Sequence, residues 1–240
     1  MKKNGVMLVG LCGRSGSGKG YVSALFSRRG IPSVDTDAVY REMTGPADAL
    51  SPCMIELRAR FGDAVVLEDG SLNRAAMRAL VFGGDAEALS DLNRITHHYI
   101  LDETRRIADM LCAAGSPIVL VDAPLLYESG FDAECARVVC VTAPEETIVA
   151  RIMQRDGIGE ADARRRLAAQ KSVEELEGRA DYVIVNDDCP KDELIRRVDA
   201  VADALEKVRR AEYEDGEACA CTDCKPDKEP EENANAEEDR

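Results

Sequence analysis

The amino-acid sequence predicts an α/β fold, with five parallel strands and helices on both faces of the sheet. Three observations carry this expectation. Five short apolar runs of strand length are spread along the 240 residues. Stretches with helical character separate them, as in a sheet wound from β-α-β units. The first run ends in a glycine-rich turn that leads straight into a helix.

The elements follow in order. Residues 6–11 (Val-Met-Leu-Val-Gly-Leu) are apolar throughout, which suits a strand buried on both faces. Residues 19–29 have helical character and stop before Gly30. Residues 31–35 read as a second strand. Residues 117–122, rich in β-branched side chains, read as a third. Residues 137–142 and 181–186 read as the fourth and fifth, and a last helix is expected from about 191 to 211.

The uneven spacing of the strands is informative. About 80 residues separate strands two and three. A structureless loop of that length is implausible in a compact domain. Helical patterns cover 48–60, 74–80 and 87–113, the last with Leu89, Leu92, Ile95, Ile100, Ile107 and Leu111 at helical spacing. A helical insert over about 46–113 is therefore expected. A second insert, over about 151–177, carries Arg151, Arg155, Arg164, Arg165, Arg166 and Lys171 and reads as a mobile basic lid. The core of the domain (residues 1–210) is then about 1–45, 114–150 and 178–210. Residues 211–240 form an acidic tail with few apolar side chains, expected to be disordered.

Composition narrows the function. Hydrophobic residues make up 45% and charged residues 32%, ordinary for a soluble enzyme. No run of 18 apolar residues exists, so no membrane span is expected. The apolar run near the N-terminus is too short for a signal-peptide core, which points to the cytoplasm. Of the net charge of −15, residues 211–240 hold 12 acids and 3 bases, leaving −6 for the body. An acidic body argues against general nucleic-acid binding. Six of the nine cysteines lie in the body, and Cys12, Cys112, Cys135 and Cys140, in or near apolar runs, read as reduced structural thiols. Cys219, Cys221 and Cys224 cluster in the tail. They lack a nearby fourth ligand for a structural zinc site and read as an oxidation-prone tail.

The chemistry starts at Gly13-Arg-Ser-Gly-Ser-Gly-Lys19, which fits Gly-x-x-x-x-Gly-Lys between a strand and a helix. Such a P-loop aims backbone N–H groups and a helix N-terminus at phosphate, and its lysine reaches the outer phosphates. Ser15, Gly16, Ser17, Gly18, Lys19, Gly20 and Tyr21 are the candidate nucleotide-binding residues. The pattern wants Ser or Thr after the lysine as a Mg²⁺ ligand, but Gly20 and then Tyr21 stand there. Since Mg²⁺ keeps several waters, contact through water is expected, with carboxylates helping. Asp122 ends an apolar strand as a Walker-B acid does and is the candidate metal ligand, through water. Asp35 and Asp37 follow strand two at the same edge. One could take the proton of an acceptor hydroxyl, and Asp37 could also cap the helix that follows.

In this order the residues resemble the dephospho-CoA kinase family over roughly 5–207. The matching pieces are Gly16-Ser-Gly-Lys19, Val34-Asp-Thr-Asp37-Ala-Val-Tyr-Arg41 and Leu72-Asn-Arg74 with Val81-Phe82. They continue with Leu92-Asn-Arg-Ile-Thr-His97, Asp122-Ala-Pro-Leu-Leu-Tyr-Glu128, Arg151 with Arg155, Gln170, and Ala180-Asp-Tyr-Val-Ile-Val-Asn186. The resemblance implies a three-layer P-loop kinase fold and ATP-dependent phosphorylation of the 3′-hydroxyl of dephospho-CoA, with Mg²⁺. Asp37 would be the general base. Lys19 and Arg151 would be the other catalytic residues, with Arg155 closing over the γ-phosphate and Asn186 near the adenine. Asp35, Arg41, Arg74, His97, Leu125 and Glu128 would meet the acceptor. The chain departs from the family at Arg14, where glycine is common, and at His98, where proline is usual.

Two other readings stay open. One is a P-loop kinase for a different nucleoside or nucleotide. The other is a nucleotide-binding protein that has lost catalysis, suggested by Gly20 and the cysteine tail. The expected partner is a small molecule rather than nucleic acid or membrane, and the expected state is a monomer or weak homo-oligomer.

Overall fold

In the computed structural model, which describes residues 5–48, 51–83 and 87–213, five parallel strands form one sheet. They are β1 (Met7–Cys12), β2 (Ser33–Asp35), β3 (Ile118–Asp122), β4 (Arg137–Thr142) and β5 (Tyr182–Val185), in the order β2-β3-β1-β4-β5. Each expected strand is present. The second is shorter than expected because Pro32 has no N–H to give a ladder, and only its carbonyl pairs, accepting from Leu120 N at 2.8 Å.

The helices are α1 (Lys19–Arg28), α2 (Thr36–Met43), α3 (Pro52–Phe61), α4 (Arg74–Phe82), α5 (Ala88–Ala113), α6 (Glu145–Asp156), α7 (Glu160–Ala168), α8 (Val173–Arg179) and α9 (Lys191–Glu212). Local chemistry explains several boundaries. Ser51 caps α3 by accepting from Met54 N at 3.2 Å, with Pro52 in its first turn. The expected helix over 48–60 therefore starts later, and its residues 49 and 50 lie outside the described residues. Asn73 caps α4 through Ala76 N at 3.1 Å. Position 151 falls inside α6 and position 178 inside α8, so the helices run past the expected lid boundaries.

Two apolar layers sandwich the sheet. On one face, Val22, Leu25 and Phe26 of α1 and Leu194, Val198 and Leu205 of α9 pack on Met7, Val9, Leu11 and Leu120. On the other, Leu8, Val119 and Val121 join Met54, Leu57, Met77 and Ile95 in one continuous cluster. The helices over 46–113 thus share their core with the sheet. Ile148, Ile152, Ala163 and Leu167 form a smaller cluster that holds α6 to α7. The carboxyl ends of the strands gather at one edge, where open α/β sheets bind ligands. No helix among the described residues is long and apolar enough to cross a membrane. Cys219, Cys221 and Cys224 lie outside the described residues.

Candidate active site

The loop after β1 turns tightly at two glycines that no other residue could replace without strain. Gly13 has φ +147°, and a Cβ there would stand 2.3 Å from Val141 O. Gly18 has φ +94°, and a Cβ would meet Asn186 Nδ2 at 2.1 Å. Gly18 sits at the N-cap of α1, with no side chain capping the helix, so first-turn amides are left for an anion. Lys19 Nζ donates to Gly13 O at 3.1 Å, across the loop. Nothing lies within 4 Å of a Cβ built on Gly20, so its lack of a hydroxyl is not forced by crowding.

A cavity of about 660 Å³ opens over this loop. Lys19, Asp35, Asp37, Asp122, Glu128, Arg151 and Arg155 face it, together with Leu125. Asp35 and Asp122 are register partners at the ends of β2 and β3. Asp35 Oδ1 accepts from Asp37 N at 2.9 Å and Ala38 N at 3.1 Å, which makes Asp35 the N-cap of α2. The capping role open to Asp37 therefore falls to Asp35. That leaves the exposed Asp37 carboxylate in the first turn, on the cavity wall. Arg41 pairs with Asp35 at 3.6 Å.

Asp122 is more confined. Its Oδ1 is buried with no hydrogen-bond partner. Burial pushes its carboxyl pKa up. Lys19 opposes that shift, while Asp35 and Asp37 add to it. Its backbone oxygen accepts from Thr36 Oγ1 at 3.2 Å, tying α2 to β3.

Arg151 grips the loop from α6. Its Nη1 donates to Gly16 O at 3.3 Å and Ser17 O at 3.4 Å, and its Nη2 to Asn186 O at 3.2 Å and Asp188 at 2.5 Å. Asn186 Nδ2 donates to Ser17 O at 2.8 Å. Tyr21, Asn186, Arg151 and Asp188 line a separate cavity of about 390 Å³ behind the loop. Of the basic residues expected in the lid, Arg151, Arg155 and Lys171 line the main cavity. The others meet acids: Arg164 pairs with Glu145, Glu146 and Glu160, Arg165 with Asp162, and Arg166 with Asp156. Glu128 pairs with Lys171 at 3.7 Å.

A second cavity of about 220 Å³ adjoins the first and shares Asp37, Pro124 and Leu125 with it. Tyr40, Asn93, Thr96 and His97 also line it. Burial pushes the His97 pKa down, so the ring is neutral at pH 7. Arg74 stands over the Tyr40 ring at 5.4 Å and donates to Thr44 Oγ1 at 3.3 Å. Arg41 borders a third cavity, of about 810 Å³, that His97 does not line. Tyr40 and Asn93 lie inside the segments 34–41 and 92–97 but were not singled out as site residues, and Lys171 was expected only as part of the lid. Helical spacing from Asp37 and His97 is the signal that could have found the first two.

Comparison with known proteins agrees with this geometry. A family model described as dephospho-CoA kinase matches residues 7–192. A relative named dephospho-CoA kinase from Syntrophotalea carbinolica is 40% identical over 181 residues, covering 75% of this chain and 84% of its own. One of the same name from Burkholderia lata is 42% identical over 194 residues, covering 80% and 93%. A solved structure from Thermus thermophilus superposes with a TM-score of 0.66 at 32% identity, over 85% of this chain and 98% of that one. The dephospho-CoA kinase of Campylobacter jejuni shares the fold, with a TM-score of 0.60 at 22% identity over 84% and 98%. A loop, a sheet edge and a relationship that all span the same residues have one reading: the chain belongs to the dephospho-CoA kinase family.

Proposed function

We propose that this chain transfers the γ-phosphoryl group of ATP to the 3′-hydroxyl of dephospho-CoA, giving CoA and ADP. The observation that carries the reading is a shared wall. Asp37 lines both the cavity over the phosphate loop and the smaller cavity beside it. A hydroxyl held in the smaller cavity meets a carboxylate and faces the loop of Lys19. Family membership supplies the identity of the acceptor.

In this reading Asp37 takes the hydroxyl proton as the oxygen forms its bond to the γ-phosphorus. The bond from that phosphorus to the bridging oxygen breaks, and its electron pair stays on the β-phosphate. Lys19, Arg151 and Arg155 offset the charge on the transferring group. Ser15, Gly16, Ser17, Gly18 and Gly20 hold phosphates, and Tyr21 and Asn186 stand on the adenine side. Asp35 fixes Asp37 through the cap, while Arg41, Arg74, His97, Leu125 and Glu128 serve the acceptor. The buried, unpartnered Oδ1 of Asp122 suits a hard cation reached through water. Mg²⁺ bound there would spread the charge of the β- and γ-phosphates. Residues 46–113 act as the acceptor insert and 151–177 as the lid, in a cytoplasmic enzyme.

A panel of acceptors tests this against another P-loop kinase. With ATP and Mg²⁺, kcat/KM is expected to be highest for dephospho-CoA, with AMP, CMP, adenosine and uridine far behind. Preference for any of those four would move the chain to the other reading.

A further inference from the structure

Arg14 lies within the phosphate loop, yet its side chain leaves both solvent and loop. The side chain is only 9% exposed. Its Nη2 donates to the backbone carbonyl of Leu167 at 2.7 Å, and its Nη1 lies 3.6 Å from Glu145. Leu167 is in the last turn of α7 and Glu145 in the first turn of α6. One side chain therefore bridges the loop to both helices. Its Nε is buried with no hydrogen-bond partner. A buried cation with an unmatched N–H is costly, so the geometry is not the relaxed choice of a surface arginine.

The next residue is held the same way. Ser15 N donates to Gln170 Oε1 at 2.9 Å, in the turn between α7 and α8. Arg155 Nη2 donates to Ser15 Oγ at 3.0 Å. Two successive loop residues are thus fastened to α6, α7 and the turn beyond. Both also line the main cavity, as do Arg155 and Gln170.

We infer that Arg14 is a positioning residue that clamps the phosphate loop to α7 and so presets the loop and Arg155 for nucleotide. The inference rests on the reading of this loop as the nucleotide site, and not on which acceptor is used. Its physical content is preorganisation. Order already present in the free protein is not charged against binding, whereas a loosened clamp leaves only a fraction of molecules competent.

The test uses the full chain, with ADP as the probe. Arg14→Ala is expected to raise the dissociation constant for ADP about tenfold, in line with loss of a charge-assisted hydrogen bond. Amide exchange should quicken in Glu160–Ala168 and not in Lys191–Glu212 on the far face. Binding of dephospho-CoA without nucleotide should change less than about twofold, since the clamp lies outside the acceptor cavity. Gln170→Ala should weaken ADP in the same direction, and the double variant should lose less than the product of the two, because both act through one junction. If Arg14→Ala folds poorly, Arg14→Lys is the second variant. It keeps the charge but not the fork, and an ADP affinity between wild type and alanine is expected. Unchanged ADP affinity in the variants overturns the clamp alone. So does an affinity loss with exchange raised uniformly, which would mark general destabilisation. A wild-type chain that binds no ADP overturns the nucleotide site and the clamp with it.

Discussion

Burial of the unpartnered Asp122 carboxyl costs stability. The pKa of this group is raised, so the folded chain holds its proton more tightly than the unfolded chain. Stability therefore falls as pH rises from the ordinary carboxylate value through the raised one, and at neutral pH the charged group is a burden. Asp122→Asn is expected to raise the thermal midpoint at pH 7 and to lower activity. The gain should vanish below the ordinary carboxylate range, where the wild-type group is already neutral. Calorimetric melts at the two pH values check this, and a lower midpoint at pH 7 would contradict it. Asp37 is exposed, and its carboxylate takes no part in the cap, to which only its backbone N–H donates. Asp37→Asn is expected to lower kcat by about 10²–10⁴-fold with ADP affinity nearly kept, as loss of a positioned base does. Steady-state kinetics beside calorimetric binding separates the two effects. Lys19, Asp37 and Asp122 were legible as residue types at motif positions. The contacts of Arg14 and Lys171 were not, because their partners Leu167, Glu145 and Glu128 are distant in sequence and set only by tertiary packing.

At the scale of elements, α2 links the sheet to Asp37, the carboxylate proposed as the base. Its start is held by the Asp35 side chain and by Thr36 on the Asp122 carbonyl. Asp35→Ala is expected to cost about 1 kcal/mol through the lost cap, whereas Asp35→Asn keeps the cap and costs less. The Arg41 partner adds little to that figure, since both side chains are more than half exposed. Denaturant midpoints of the two variants check the difference, and equal midpoints would show that the cap is not the reason. The sequence offered Asp37 as the N-cap at this point, and the structure gives that role to Asp35, two residues earlier. Only the backbone conformation decides it: Asp35 is extended, and the helix begins at Thr36. The strands and the helices α1, α4, α5 and α9 were readable within a few residues, because buried parallel strands are apolar on both faces and need no partner to be recognised, whereas α7 and α8 fell in a stretch read only as a basic lid. The start of α3 shifted where Ser51 offered a cap.

At the scale of the molecule, the helical insert is not a separate unit. Leu57, Met77 and Ile95 belong to the cluster that also holds Val119 and Val121 of β3. Insert and sheet are expected to unfold together, in one transition by both far-ultraviolet dichroism and calorimetry. Leu57→Ala is expected to lower stability by about 2–5 kcal/mol as a fully buried large-to-small change. Two resolved transitions would contradict the shared core. The strand order is what the sequence did not disclose. Five apolar runs imply a parallel sheet, but neighbours such as β1 with β4 and β2 with β3 are chosen by long-range register. That order brings Asp35 beside Asp122 on one side and the phosphate loop beside Asp122 on the other.

The most direct measurement is the position of the new phosphate. Purified full-length protein is incubated with dephospho-CoA, ATP and Mg²⁺, and the product is read by mass spectrometry and by phosphorus and proton nuclear magnetic resonance. The expected result is the gain of one phosphate on dephospho-CoA, placed at the ribose 3′-oxygen, absent with Lys19→Ala and nearly absent with Asp37→Asn. No phosphate gained, or transfer to another hydroxyl, or full product formation by Lys19→Ala, would contradict the account.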